Sequence, residues 1–160
     1  MAAKKAKKKT AKKAARKTAA KRPAARRAER RTGPVNLRTK SVGLSLTVND
    51  LSRSVDWYTR VLGFVRGDKW EQDGKLMAQE VKSGATGFWL NQDDWAKGRD
   101  RVKGIGIRVY CNTEQDVFKI AEVIKSRGGK LDHEPETRPW GGTDFGMTDP
   151  DGFKITIQSL

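Results

Sequence analysis

Histidine and cysteine are almost absent from this chain of 160 residues, each occurring once, at His133 and Cys111. A single cysteine excludes an intramolecular disulfide and fits a reducing compartment. A single histidine excludes any metal site built on two imidazoles. No apolar run approaches the length of a membrane span. The N-terminal segment, residues 1–34, lacks the apolar h-region of a secretory signal peptide, so none is expected there. It is acid-poor like an organelle transit peptide, but its lysine clusters, lack of serine and lack of bulky apolar residues argue against that reading.

Charge is unevenly placed. Residues 1–34 carry fifteen Lys or Arg and one acid, Glu29, whereas the remainder carries nineteen Lys or Arg against eighteen acids. The formal net charge of +15 therefore belongs almost wholly to the N-terminal segment. From residue 2 to about 32 that segment contains no Leu, Ile, Val, Phe, Tyr or Trp. With nothing to bury, it is expected to be a disordered tail. Dense like charge also opposes an isolated helix despite the helix-forming Ala and Lys. Such a tail attracts nucleic acid by displacing counterions, with Lys7, Lys8, Lys9, Lys12, Lys13, Arg16, Lys17, Arg26 and Arg27 as the expected phosphate contacts. No recognition helix or zinc-finger spacing is present, so sequence-specific reading is not expected.

After the break at Thr32-Gly33-Pro34, residues 35–160 read as one domain made of a unit used twice. Gly43 to Val48 alternates apolar with small or polar residues, and Gly104 to Val109 repeats the pattern sixty-one positions later. Alternation at period two predicts a strand with one buried face. Helical periodicity follows each strand, with Leu51, Val55, Tyr58 and Leu62 in the first copy and Val117, Ile120, Ala121 and Ile124 in the second. Asp50 and Asn112 are the expected N-caps, and Gly63 and Gly128 the expected C-terminal releases. Further strands are expected over 64–70, 75–82 and 86–91, with a hairpin at Asp73-Gly74, and then over 130–134, 143–148 and 153–158. Asp149-Pro150-Asp151-Gly152 makes the last tight turn. The modules span about 41–94 and 102–160, joined by a polar connector over 93–101. The fold class is α+β, two βαβββ modules behind a basic tail.

That order, with VNDLSRSVDWYTRVLGF at 48–64 and PWGGTDFGMTDPDGFKITI at 139–157, resembles the vicinal oxygen chelate superfamily, the glyoxalase, bleomycin resistance and dioxygenase proteins. The resemblance implies that the two sheets form a cup and that family members holding a divalent metal do so with His or Glu on the first and last strands of each module. It places those four positions at Gly43, Trp89, Gly104 and Thr156. None is a His or Glu, so no metal and no cofactor is expected.

Alternation leaves Ser45, Thr47, Trp89, Asn91, Arg108, Tyr110, Lys154, Thr156 and Gln158 facing the cup, with glycines 43, 87, 104 and 106 leaving room. With Trp140 added, all of these side chains but Tyr110 and Lys154 are the expected ligand contacts. A ring to stack on, a cation and several hydrogen-bonding groups suit a small anionic or aromatic organic ligand. Glu80 is the one expected internal partner for Arg108. His133 reads as an ordinary, partly exposed histidine, Cys111 as a half-buried thiol, and Asp149 and Asp151 as turn-formers. The resulting expectation is a metal-free ligand-binding domain, a homodimer by resemblance, in the cytoplasm or on the nucleoid. Two other readings stay open: a glyoxalase-type lyase or dioxygenase with displaced metal ligands, and a nucleic-acid-associated protein whose domain is structural.

Overall fold

The computed structural model describes residues 39–159. The expected disordered tail and its nine named cations, Lys7 to Arg27, lie outside the described residues. The elements are β1 (Ser45–Val48), α1 (Leu51–Arg60), β2 (Val65–Gln72), β3 (Lys75–Ser83), β4 (Thr86–Gln92), β5 (Arg108–Asn112), α2 (Val117–Ser126), β6 (Leu131–Thr137), β7 (Thr143–Thr148) and β8 (Lys154–Ser159). They form two four-stranded sheets of identical order, β1-β4-β3-β2 and β5-β8-β7-β6. In each, the first and last strands run parallel and the others antiparallel. A parallel pair requires a crossover, and the helix supplies part of it. Two βαβββ modules are therefore present, as the sequence pattern predicts.

Local chemistry sets the element ends. Asp50 caps α1 by accepting from the Arg53 amide at 3.0 Å, and Gly63 leaves the helix at φ 77°. Asp73 and Gly74 both sit at positive φ, 52° and 73°, which is the backbone of a two-residue primed hairpin. Leu46, Val48, Leu51, Val55 and Tyr58 from the first module and Ala121, Ile124, Phe145, Met147 and Ile155 from the second are buried in one continuous core.

Two expectations are corrected in the second module. Gly104 to Ile107 is a turn, not the start of a strand: Gly104 and Gly106 adopt φ 77° and 72°, and the Ile107 amide bonds the Gly104 carbonyl at 3.3 Å. The strand begins at Arg108. Register then matches Leu46, paired with Leu90, to Cys111, paired with Ile157, rather than to Ile107. The helix cap is Asp116, which accepts from the amides of Phe118 and Lys119, and not Asn112. Asn112 is the last residue of β5, and its side-chain oxygen is taken by Gln158 at 2.8 Å.

The two modules are latched by the turn between β7 and β8. Tyr58 Oη donates to Asp149 Oδ2 at 2.9 Å, Ser54 Oγ to Asp151 Oδ2 at 2.7 Å, and the Asn49 amide to Asp151 Oδ1 at 2.6 Å. Asp149 Oδ1 also accepts from the amides of Asp151 and Phe153 at 2.9 and 2.8 Å. Both aspartates are thus the turn-formers expected, and they serve the first module as well. Gly104 permits a backbone approach to Gly152 that a Cβ would block.

The connector is pinned by a buried ion pair. Asp93 accepts from Lys103 Nζ, from Arg101 Nη2 at 2.9 Å and from the Trp95 amide at 2.9 Å, while Lys103 also donates to Asn49 Oδ1 at 2.6 Å. The bond from Lys103, then that from the Trp95 amide, holds the Asp93 carboxyl down to about 2. A carboxylate lowered in the folded state gives stability above its unfolded value that is lost as pH falls through its folded one. The connector's contribution is therefore expected to disappear between pH about 4 and about 2. In thermal melts over that window, Asp93→Asn should flatten the acid-induced loss seen in the wild type.

Candidate ligand-binding face

The helices cover one face of each sheet and leave the other open, so alternation along each strand decides which side chains reach it. On the second sheet, Val109, Ile155, Phe145 and Met147 turn toward the helix side. Their neighbours form rows across the open face. One row runs Tyr110, Thr156, Gly146, His133; the next runs Asn112, Gln158, Asp144, Glu136. The chain after β6 adds Arg138 and Trp140. Together Arg108, Tyr110, His133, Arg138, Trp140, Asp144, Thr156 and Gln158 line a cavity of about 260 Å³.

The electrostatics of this cavity are lopsided. Arg138 grips Asp144 with two bonds, Nε to Oδ2 at 2.9 Å and Nη2 to Oδ1 at 2.7 Å, and reaches Glu136 at 3.0 Å. The Arg138 guanidinium holds the Asp144 carboxyl below the usual carboxylate range. Lys154 is answered by Asp132 at 3.0 Å. Arg108 donates to a neutral group, Thr156 Oγ1, at 2.8 Å, and no carboxylate of the described residues lies within ion-pair distance of it. Glu80, its expected partner, belongs to the first sheet and pairs with Lys82 at 3.0 Å instead. The face therefore carries a closed ion pair and one guanidinium, Arg108, with no carboxylate in direct contact, whose charge also helps lower Asp144. Two large rings stand beside it, Trp140 at 73 % exposure and Tyr110 at 59 %.

Four of the eight expected site residues, Arg108, Trp140, Thr156 and Gln158, are thus brought into one cavity. The other four share the first sheet: Ser45 pairs with Trp89 and Thr47 with Asn91, and Asn91 donates to Ser45 Oγ at 2.6 Å. Ser45 and Thr47 border a separate hollow of about 280 Å³, walled by Lys103, Ile105, Ile107 and Phe153. Trp70, unexpected from the pattern, joins the open face beside Ala78, which pairs with Asn91. The room expected over Gly87 is filled by Lys82 and Glu80, and that over Gly104 by the Gly152 backbone, whereas Gly43 and Gly106 face open space.

His133, Arg138 and Asp144 are members of the site that the sequence expectation leaves out, and Tyr110, which alternation turns to the cup, joins them. One signal points to the histidine: it pairs with Gly146, and a Cβ there would come within 2.9 Å of His133 Nε2, so the ring lies across the glycine. Cys111 is the expected half-buried thiol; burial pushes it up to about 11 and away from nucleophilic use.

A metal does not fit this donor set. With the corrected register, the second-module position that resemblance assigned to Gly104 falls on Arg108, because Gly43 precedes Ser45 as Arg108 precedes Tyr110. Gly43, Trp89, Arg108 and Thr156 offer one neutral hydroxyl and a cation where anionic or imidazole donors are needed. Among the described residues no three His, Cys, Asp or Glu side chains converge elsewhere, and no helix is long and apolar enough to cross a membrane.

Comparison with known proteins agrees with this architecture. The structure is similar to TioX from Micromonospora sp. ML1, at TM-score 0.62 and 18 % identity over 76 % of this chain and 98 % of that one. It is similar to a glyoxalase/bleomycin resistance protein/dioxygenase from Nocardioides, at TM-score 0.62 and 17 % identity over 79 % and 87 %. A virulence protein from Salmonella typhimurium aligns at TM-score 0.58 and 22 % identity over 78 % and 99 %. At these identities the likeness concerns the fold. No curated protein matches the sequence. The family model for the glyoxalase/bleomycin resistance protein/dioxygenase superfamily matches residues 40–157. By that match, and by its two βαβββ modules, the chain belongs to the glyoxalase/bleomycin resistance protein/dioxygenase superfamily.

Proposed function

We propose that the domain binds a small planar organic anion, without metal, on the open face of its second sheet. The observation that carries this reading is Arg108: a guanidinium held by a hydroxyl at 2.8 Å, with no carboxylate in direct contact, in a cavity that exposed rings also line. The Arg108 side chain is exposed and open to a ligand, and a planar guanidinium suits a carboxylate or similar group. Trp140 and Tyr110 offer surfaces for the ligand's flat part, and Gln158 a hydrogen bond.

The cavity is smaller than the ~300–1,000 Å³ that encloses a drug-sized ligand. Tyr110 and Trp140 in its wall are largely exposed. A second copy of the chain, presenting its first sheet with Trp89, Trp70 and Asn91, is the natural cover, which makes the working form a homodimer. The N-terminal cations add a sequence-indifferent hold on nucleic acid. Together with the single, half-buried thiol, they support a cytoplasmic, nucleoid-associated setting.

Calorimetry with an aromatic carboxylate such as 4-nitrobenzoate tests the reading. Arg108→Met is expected to weaken binding by about 1.5–3 kcal/mol, the range for a charge-assisted hydrogen bond, with little change in melting temperature. Equal affinity with a large loss of stability would make Arg108 structural and remove the site's anchor.

A further inference from the structure

His133 is placed to do more than line the cavity. Its Nδ1 lies 3.1 Å from the Glu134 carbonyl oxygen, an atom that can only accept, so Nδ1 carries the hydrogen. In the neutral ring Nε2 is then a bare lone pair. The ring lies across Gly146 on the open face, and Nε2 faces Asp144 Oδ1 at 3.9 Å, itself an acceptor. A lone pair aimed at a carboxylate is an unfilled base until a proton arrives.

The row geometry places this base in the same cavity as Arg108. His133 pairs with Gly146, Gly146 with Thr156, and Thr156 holds Arg108. Neighbouring strands are about 4.8 Å apart, and the ring leans over Gly146 toward Thr156, so imidazole and guanidinium line one cavity. A single ligand oxygen seated in the cavity between His133 and Arg108 meets a proton acceptor on one side and a cation on the other. Imidazole is the side chain best suited to taking a proton near neutral pH.

We infer that His133 Nε2 takes the proton of an acidic hydroxyl, a phenol or enol, on the bound ligand, so that the ligand is held as its oxyanion by Arg108. This rests on the proposed anion site and adds the ligand's reacting group to it. In the step the O–H bond breaks with its electron pair left on oxygen, and the proton forms an N–H bond at Nε2. The new imidazolium faces Asp144, while Arg138 remains on that carboxylate. No further reagent is consumed.

The test uses the full chain and 4-nitrophenol, whose phenolate absorbs in the visible and whose phenol does not. At a pH where the free dye is mostly phenol, the wild-type protein is expected to bring up the phenolate band on binding. His133→Gln should lower the bound phenolate-to-phenol ratio at least about tenfold, the effect of one pKa unit. Gly146→Ala keeps the histidine but displaces its ring, and should do the same. Parallel titrations with 4-nitrobenzoate, which has no proton to give, should show weaker binding by Arg108→Met than by wild type. If the dye binds wild type as neutral phenol, or if His133→Gln leaves the ratio unchanged, the base assignment is overturned while Arg108-dependent 4-nitrobenzoate binding keeps the anion site. If neither compound binds, the anion site falls and takes the base with it.

Discussion

Removal of residues 1–34 is expected to abolish binding of the protein to duplex DNA and to RNA. That segment holds fifteen of the 34 Lys and Arg residues and a single acid, whereas residues 35–160 are close to neutral. With about seven cations on phosphates, log K falls against log salt with a slope of roughly −6, or about 10³-fold or more between about 50 and 200 mM salt. Fluorescence anisotropy over a salt series, on two duplexes of unrelated sequence, should give the same slope for both. A truncated chain that binds as tightly as the full one would assign the interaction to the folded domain.

Asp149→Ala is the substitution expected to cost the fold most among those of the inter-module latch. It leaves two buried donors, Tyr58 Oη and the Phe153 amide, without an acceptor. At about 1–3 kcal/mol for each stranded donor, the loss comes to about 2–6 kcal/mol. Tyr58→Phe removes one bond to a charged group and should lose about 1.5–3 kcal/mol. Burial, the largest influence on Asp149, raises its carboxyl above the ordinary value despite the donors around it. The pH dependence therefore has the opposite sign to that of Asp93. A raised carboxyl gives stability that is full below its unfolded value and lost as pH rises through its folded one. The deficit of Tyr58→Phe should accordingly shrink on acidification, since a protonated Asp149 needs that donor less. Chemical denaturation at neutral and mildly acidic pH reads both numbers; equal deficits at the two would mean that Asp149 is not the acceptor that matters.

Much of the fold is legible in the chain because each local signal has one physical meaning. Asp50 before an amphipathic run, Asp73-Gly74 between alternating segments and Asp149-Pro150-Asp151-Gly152 before the last strand each admit one backbone. The misplaced start of the second module has an equally local cause. In Gly104-Ile105-Gly106-Ile107 the positions between apolar residues are glycines, which alternate on paper as a strand does but accept the positive φ of a turn. Half of the candidate site follows from parity alone, as Arg108, Tyr110, Thr156 and Gln158 demonstrate. The rest depends on which residues of β6 stand opposite β7. Register shifts on either side of His133 set that pairing, and no periodicity in 131–137 reveals them. Arg138 and Trp140 reach the cavity from the chain after that strand, where side-chain reach rather than alternation decides.

The latch between the modules runs in one direction. At the helix positions that answer Ser54 and Tyr58, counted from the first residue of each helix, α2 carries Ile120 and Ile124, neither of which can donate. The β3–β4 turn, Ser83-Gly84-Ala85-Thr86, has no acid where the other turn has Asp149 and Asp151. The halves of this pseudosymmetric domain are therefore plug and socket, not copies that can be exchanged. A chain built from two first modules would hold a double set of donors with no carboxylate to receive them. One built from two second modules would bury unanswered aspartates. Swapping either half for that of a relative should yield a folded protein only when Asn49, Ser54 and Tyr58 travel with a partner turn of the Asp-Pro-Asp-Gly kind.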